Sequence, residues 1–230
     1  MQEMYVTDEY EKNNPTWHEE DSPWKAGHVA NMIKKNGLAV NTLCEIGCGT
    51  GEILLNLEEA FPDATLSGYE IAPQAFERAA VKETDRTKFY LQDALDVEQA
   101  PFDVVLAIDV MEHVEDYLSF LKKLKPIGKS KIFHIPLDLS AQSVARSRPI
   151  MQLRKGVGHI HYFYKDTALA ALTDCGYTIL DWAYTASRLE LPNQARSSRI
   201  MRLPRRIMYA ANPDMAVRVL GGYSLLVLAE

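Results

Sequence analysis

Thr42-Leu43-Cys44-Glu45-Ile46-Gly47-Cys48-Gly49-Thr50-Gly51-Glu52 is the stretch that decides how this chain is read. An apolar run carries one acid and ends in three glycines at alternate positions. Ile53, Leu54, Leu55 and Leu57 then follow as an amphipathic run, broken at Phe61-Pro62. The pattern predicts a buried strand that turns through a glycine loop into a helix. Glycines let the backbone approach a ligand closely, and the new helix presents unsatisfied N–H groups to it. A dinucleotide-binding turn would need glycine at position 52, where Glu52 stands.

Further strands follow outward from this turn. Ala64–Tyr69 ends in Glu70, which lies 19 residues beyond Gly51, near the distance at which nucleoside-binding folds place a carboxylate on ribose hydroxyls. A charged strand end in solvent is the alternative for Glu70. Ala72-Pro73 opens a helix over 74–82, and Thr87–Leu91 is a third strand. Phe102–Ile108 is the most strand-like run of the chain and predicts a central strand covered on both faces. It delivers Asp109-Val110-Met111-Glu112-His113 at its carboxyl end, where open α/β sheets bind ligands. Strands over 130–135, 177–184 and 223–228 complete a doubly wound seven-stranded α/β sheet.

The ends of the chain are less regular. Asp21-Ser22-Pro23 starts a helix through Trp24, Lys25 and His28 that stops at Asn36-Gly37. Pro136–Gly158 is long for a connection unless it is functional or partly helical. His159 and His161, one residue apart, point the same way if the chain is extended there. Residues 185–220 hold three prolines and seven arginines and predict a helical cap inserted before the last strand. The expected division is a single domain over 1–230. It has a helical cover at 1–37, a cofactor-binding core at 38–136, acceptor-side insertions with a late strand at 137–222, and a last strand at 223–230.

The E-x-G-x-G-x-G of Glu45–Gly51 resembles motif I of the class I S-adenosylmethionine-dependent methyltransferases. Asp109-Val110-Met111-Glu112-His113-Val114 resembles a segment of the small-molecule members, such as those of quinone biosynthesis. Gly158-His159-Ile160-His161-Tyr162-Phe163 resembles the stretch before their late helix. The resemblance implies a Rossmann-like sheet in the order 3-2-1-4-5-7-6 with the last strand antiparallel, and S-adenosylmethionine as cofactor. It places the cofactor on Glu45, Gly47, Cys48, Gly49 and Gly51, with Glu70 on the ribose and Ile71 under the adenine. Asp93 and Ala94 would take the adenine edge, and the Asp109-Val110 backbone the methionine end. Trp24 and Lys25 would cover the site, although the tryptophan could equally staple the helix to the sheet. In this family the Glu112-His113 pair begins the next helix.

The reaction implied is in-line methyl transfer, which chiefly requires alignment of a nucleophile. His113 is the leading candidate base, with His159 and His161 as further catalytic candidates. Packing of these histidines without substrate contact is the alternative. Arg146, Tyr162 and Arg199 are the candidate acceptor contacts, because Arg forks suit phosphate or carboxylate groups. A solvated face or a homodimer contact is the other use of such a basic cap. No metal is expected, since the chain lacks the Asp-Asn dipeptide of the divalent-dependent O-methyltransferases. It also lacks their relatives' N/D/S-P-P-Y/F loop for nucleic-acid and protein amide nitrogen, which points to a small-molecule or sugar oxygen.

Composition agrees with this. Hydrophobic content of 47% and charged content of 24% are those of an ordinary globular protein. Residues 1–136 carry 13 Lys and Arg against 24 Asp and Glu, whereas 137–220 carry 12 against 6. An acidic core under a basic cap suits an anionic acceptor and disfavours a broad nucleic-acid surface. Three cysteines without a C-x-x-C pair, no apolar run of about 18 residues and no signal-peptide core predict a cytoplasmic protein. An RNA or protein methyltransferase and a non-catalytic cofactor-binding partner remain the rival readings.

Overall fold

The computed structural model describes residues 9–97, 101–191 and 200–230. The expected acceptor contact at Arg199 lies outside them. Seven strands form one sheet: β1 (Thr42–Ile46), β2 (Thr65–Glu70), β3 (Thr87–Leu91), β4 (Phe102–Ile108), β5 (Gly128–Pro136), β6 (Ile179–Thr185) and β7 (Ser224–Ala229). Their order is β3-β2-β1-β4-β5-β7-β6. β7 runs antiparallel to both neighbours, and the other pairings are parallel. The expected topology is the one found.

Period-two alternation divides the apolar residues between two layers. Leu43, Val104, Leu106 and Ile132 face one core, against α2 (Ser22–Lys35) and α3 (Glu52–Ala60). Cys44, Val105, Phe133 and Val227 face the other, against α5 (Tyr117–Leu124) and α8 (Lys165–Asp174). The remaining described helices are α1 (Glu9–Asn13), α4 (Pro73–Ala80), α6 (Ala141–Arg146), α7 (Arg148–Gly156), α9 (Ser187–Glu190), α10 (Arg202–Ala211) and α11 (Pro213–Leu220). No helix among the described residues is long and apolar enough to cross a membrane.

One open reading is decided and one local expectation changes. The connection 136–158 is helical, as α6 and α7, because Ser140 caps α6 through the Ser143 N–H and Pro149 sits in the first turn of α7. Glu112-His113 does not begin the next helix: it lies in a separate short turn, Met111–His113, followed by extended Val114. α5 starts later because Asp116 is its cap and accepts from Ser119 N–H at 3.0 Å.

Candidate active site

The parallel strands end together beneath a cavity of about 840 Å³, within the range of about 300–1,000 Å³ typical of small-molecule sites. Gly47, Gly49 and Gly51 bring the β1 loop to its wall with φ of +68°, +55° and +81°. Gly47 and Cys48 donate to the Tyr69 carbonyl, which ties the loop to the end of β2. A Cβ at Gly49 would meet nothing within 4 Å, so this backbone faces open cavity. Cys48 and Ile71 also line it, Ile71 being 42% exposed.

Carboxylates dominate the floor. Glu45 is 1% exposed, and its Oε2 has no hydrogen-bond partner among the described residues. Burial pushes its carboxyl well above the usual range. Glu70 accepts from the N–H groups of Gly49, Ile71 and Ala72, each at 2.8 Å. Burial raises its pKa, against the opposing pull of those donors. Glu70 is therefore a keystone of the loop as well as a cavity carboxylate. Glu70→Ala is expected to weaken cofactor binding at least about tenfold and also to cost about 2 kcal/mol of stability, because three N–H groups lose their acceptor. A titration with S-adenosylhomocysteine beside a thermal melt checks both. The sequence alone leads one to expect little loss of stability from this substitution; the three N–H groups that donate to Glu70 reverse that expectation.

Asp109 closes β4 with φ of +54°, a conformation uncommon outside glycine. Its carboxylate lies 2.7 Å from Lys25 Nζ and 2.6 Å from His134 Nδ1. Burial opposes ionisation, but His134 and Lys25 outweigh it and hold the Asp109 carboxyl well below the usual range. Burial likewise works against the Lys25 charge, and Asp109 reverses the balance. His134 Nε2 continues the chain to Thr185 Oγ at 2.8 Å. Trp24, on the same helix as Lys25, donates to Glu190 at 2.6 Å. Both residues line the cavity, so α2 spans it from the end of β4 to the cap.

Another wall is imidazole. His113 Nδ1 lies 3.1 Å from the Gly158 carbonyl, which can only accept, so this nitrogen carries the proton. Burial and neighbouring His159 push His113 down to about 4. The two rings meet edge to face at 4.9 Å. His159 Nδ1 lies 2.6 Å from Asp138 Oδ2, and the Tyr162 hydroxyl donates to the His159 carbonyl at 2.9 Å. Glu112 is 1% exposed, and neither of its carboxylate oxygens has a hydrogen-bond partner among the described residues. Burial first, and then the charge of Asp109, push it well above the usual range.

The expected residues thus divide. Glu45, Gly47, Cys48, Gly49, Glu70, Ile71, Asp109, Val110, Trp24, Lys25, His113, His159 and Arg146 line one cavity. Gly51 is behind the loop, where an added Cβ would stand 2.4 Å from the Phe89 ring. Asp93 and Ala94 are outside the cavity wall; Asp93 accepts from Leu95 N–H at 2.9 Å. His161 does not join His159. Ile160 and His161 both donate to the Glu112 carbonyl, which bends the chain. The His161 ring therefore lies against Tyr117, with Nε2 3.1 Å from the Glu115 carbonyl. Tyr162 acts on His159 from behind and does not line the cavity.

Several site residues escaped the sequence reading. His134 is a polar residue in an apolar strand, paired in register with Ile108 beside Asp109. Asp138 stands just past the carboxyl end of β5, a position that alone marks it for attention. Of the cap arginines, Arg188 and Arg205 line the cavity, whereas Arg218 pairs with Asp166 and Arg202 donates to the Leu189 carbonyl.

The sequence pattern of the methyltransferase-domain family matches residues 17–181. The chain is 27% identical over 180 residues to the ubiquinone biosynthesis O-methyltransferase of Idiomarina loihiensis, covering 69% of this chain and 72% of that one. Its fold is shared by the magnesium protoporphyrin IX methyltransferase of Synechocystis with bound S-adenosylhomocysteine (TM-score 0.61, 18% identity, 95% and 85% of the two chains). An N-methyltransferase of Bradyrhizobium japonicum, also with S-adenosylhomocysteine, matches equally (TM-score 0.61, 17% identity, 98% and 97%). The chain belongs to the methyltransferase-domain family and is an S-adenosylmethionine-dependent methyltransferase.

Proposed function

We propose that this protein methylates an oxygen of a small molecule or sugar, with the acceptor placed against His113 and His159. The observation that carries this reading is a histidine wall in the same cavity as the glycine loop. The O-methyltransferase named among its relatives supports it.

The donor set fits the cofactor. S-adenosylmethionine carries a sulfonium and an ammonium, and Glu45, Glu70 and Asp109 line the cavity, where a bound cation would favour the charged form of the two buried glutamates. Bound there, it supplies an electrophilic methyl group. The 47–51 backbone and the 109–110 turn would hold its methionine portion, and Glu70, with one acceptor position still available, would take a ribose hydroxyl. Ile71 at the rim would lie against the adenine, toward Asp93 and Ala94.

For the acceptor's proton, the base role moves from His113 to His159. His113 sits in a setting that lowers its proton affinity, whereas Asp138 fixes the His159 tautomer and would stabilise the imidazolium. Arg146, Arg188 and Arg205 on the cavity wall would steer an anionic acceptor. Arg146 is exposed, so Arg146→Ala is expected to raise the acceptor KM about tenfold, the worth of one charged hydrogen bond, with kcat nearly unchanged.

The test supplies methyl-labelled S-adenosylmethionine and a desalted native extract, then separates small-molecule, lipid, protein and nucleic-acid fractions. Label in the small-molecule or glycan fraction is expected. Label confined to protein or RNA would assign the basic cap to a macromolecule. Cofactor binding without label in any fraction would favour a non-catalytic partner role.

A further inference from the structure

We propose that His134 is a positioning residue for the cofactor's amino group, holding the Asp109 carboxylate in place for the ammonium of the methionine end. This role rests on the proposed placement of that end against residues 47–51 and 109–110, and on nothing about the acceptor.

His134 grips Asp109 twice. Strand register sets it beside Ile108, and its carbonyl accepts from the Asp109 N–H at 2.9 Å. Its Nδ1 lies 2.6 Å from Asp109 Oδ1. An ionised carboxylate only accepts, so Nδ1 carries the proton and donates. On the far side Nε2 meets Thr185 Oγ at 2.8 Å, where a hydroxyl can donate or accept, so the ring is held at both nitrogens. His134 and Thr185 are both buried, which leaves the ring little room to turn. The φ of +54° at Asp109 is a conformation that persists where the surroundings over-determine it, and these bonds supply the constraint.

The result is a fixed anion. Lys25 Nζ takes Asp109 Oδ2 at 2.7 Å, so among the described residues each oxygen has one side-chain partner. Two carboxylate oxygens offer about four lone-pair positions. The Asp109 side chain also keeps 23% of its surface open and lines the cavity, so a further cationic donor has a place to bind. Burial pushes the carboxyls of Glu45, Glu70 and Glu112 upward, whereas that of Asp109 is held down by His134 and Lys25 before any ligand arrives.

Location selects the ammonium. A Cβ at Gly47 would stand 2.9 Å from Val110 Cγ2, so the residue after Asp109 packs on the first glycine of the loop. Asp109 therefore borders the loop that would hold the methionine portion. An ammonium also brings three N–H donors to a carboxylate, whereas a sulfonium brings none.

The test measures by calorimetry the binding of S-adenosylhomocysteine and of its deaminated analogue, which lacks only the amino group. Neither carries a sulfonium. The ratio of the two dissociation constants is taken within each variant, because a merely structural role would weaken both ligands alike. In the parent protein the amino group should be worth at least about tenfold, the scale of a hydrogen bond to a charged group. His134→Phe should cut that ratio at least about fivefold while binding of the analogue stays nearly unchanged. His134→Asn, whose amide can still donate to Asp109, should restore most of it. Thermal melts identify a variant that has lost its fold. Thr185→Val, which releases only the far side of the ring, then takes the place of His134→Phe, with a fall of about threefold expected. A ratio near one in the parent protein, or the parent's ratio in every folded variant, would overturn the role and leave the cofactor placement and the methyl transfer standing. A fall as large in His134→Asn as in His134→Phe would overturn donation to Asp109 as its cause. Absence of S-adenosylhomocysteine binding by the parent protein would overturn the placement together with the role.

Discussion

Gly51→Ala is expected to lower folding stability by about 2–5 kcal/mol and to abolish measurable cofactor binding. Two separate costs combine there. At φ +81° an L side chain is strained, by about 1–2 kcal/mol. The new Cβ would also stand 2.4 Å from the Phe89 ring, and overpacking of this kind costs about 1–3 kcal/mol. Phe89 is 4% exposed and packed among Leu54 and Leu66, so it has no room to withdraw. The glycine loop must move instead, and its ligand-facing backbone moves with it. Gly49→Ala is the informative comparison: φ is +55°, but nothing lies within 4 Å of the added Cβ. That variant should lose about 1–2 kcal/mol and yet bind S-adenosylhomocysteine far more weakly, because the methyl occupies the cradle. Chemical denaturation and calorimetric titration of both variants separate steric from binding effects. Equal stability of Gly51→Ala and the parent protein would contradict the loop packing described.

The second large effect is expected at Asp109. Asp109→Ala removes the partner of Lys25 and of His134 at once, leaving a buried ammonium uncompensated. Breaking such a pair from one side costs about 3–5 kcal/mol. The φ of +54° adds to this, since alanine tolerates that region less well than aspartate. Asp109→Asn keeps the shape and the backbone conformation, so it isolates the charge. It should recover part of the stability but not the hold on α2. Limited proteolysis of residues 9–35 should therefore speed up in both variants. Resistance equal to the parent protein would show that α2 is held by Trp24 and its apolar face without the ion pair.

Much of this architecture is legible in the sequence because strands announce themselves locally. Thr87–Leu91 and Phe102–Ile108 are found with the bounds their apolar runs suggest, and the glycine loop follows from three residues at alternate positions. The cavity's polar pairs are a different matter. Asp109 meets His134, and Asp138 meets His159, through strand register and loop return over more than twenty residues. Periodicity carries no signal for such contacts. The pairing of His159 with His161 failed because it assumed extended chain, whereas two consecutive N–H groups turn onto the Glu112 carbonyl. Glu112 itself read as the start of a helix; Asp116 caps that helix instead and leaves Glu112 buried in a turn above β4. The basic cap was legible as composition, but only the folded chain separates Arg188 and Arg205 on the cavity wall from Arg218 in its surface ion pair.

Methyl transfer to oxygen in this cavity is tested most directly with S-adenosylmethionine carrying a carbon-13 methyl group. The labelled small-molecule fraction is read by carbon-13 NMR, with Gly49→Ala as the cofactor-site control. The account predicts a methyl resonance in the O-methyl region that is absent in the control. A resonance of N-methyl or C-methyl type, or one that persists in Gly49→Ala, would contradict it.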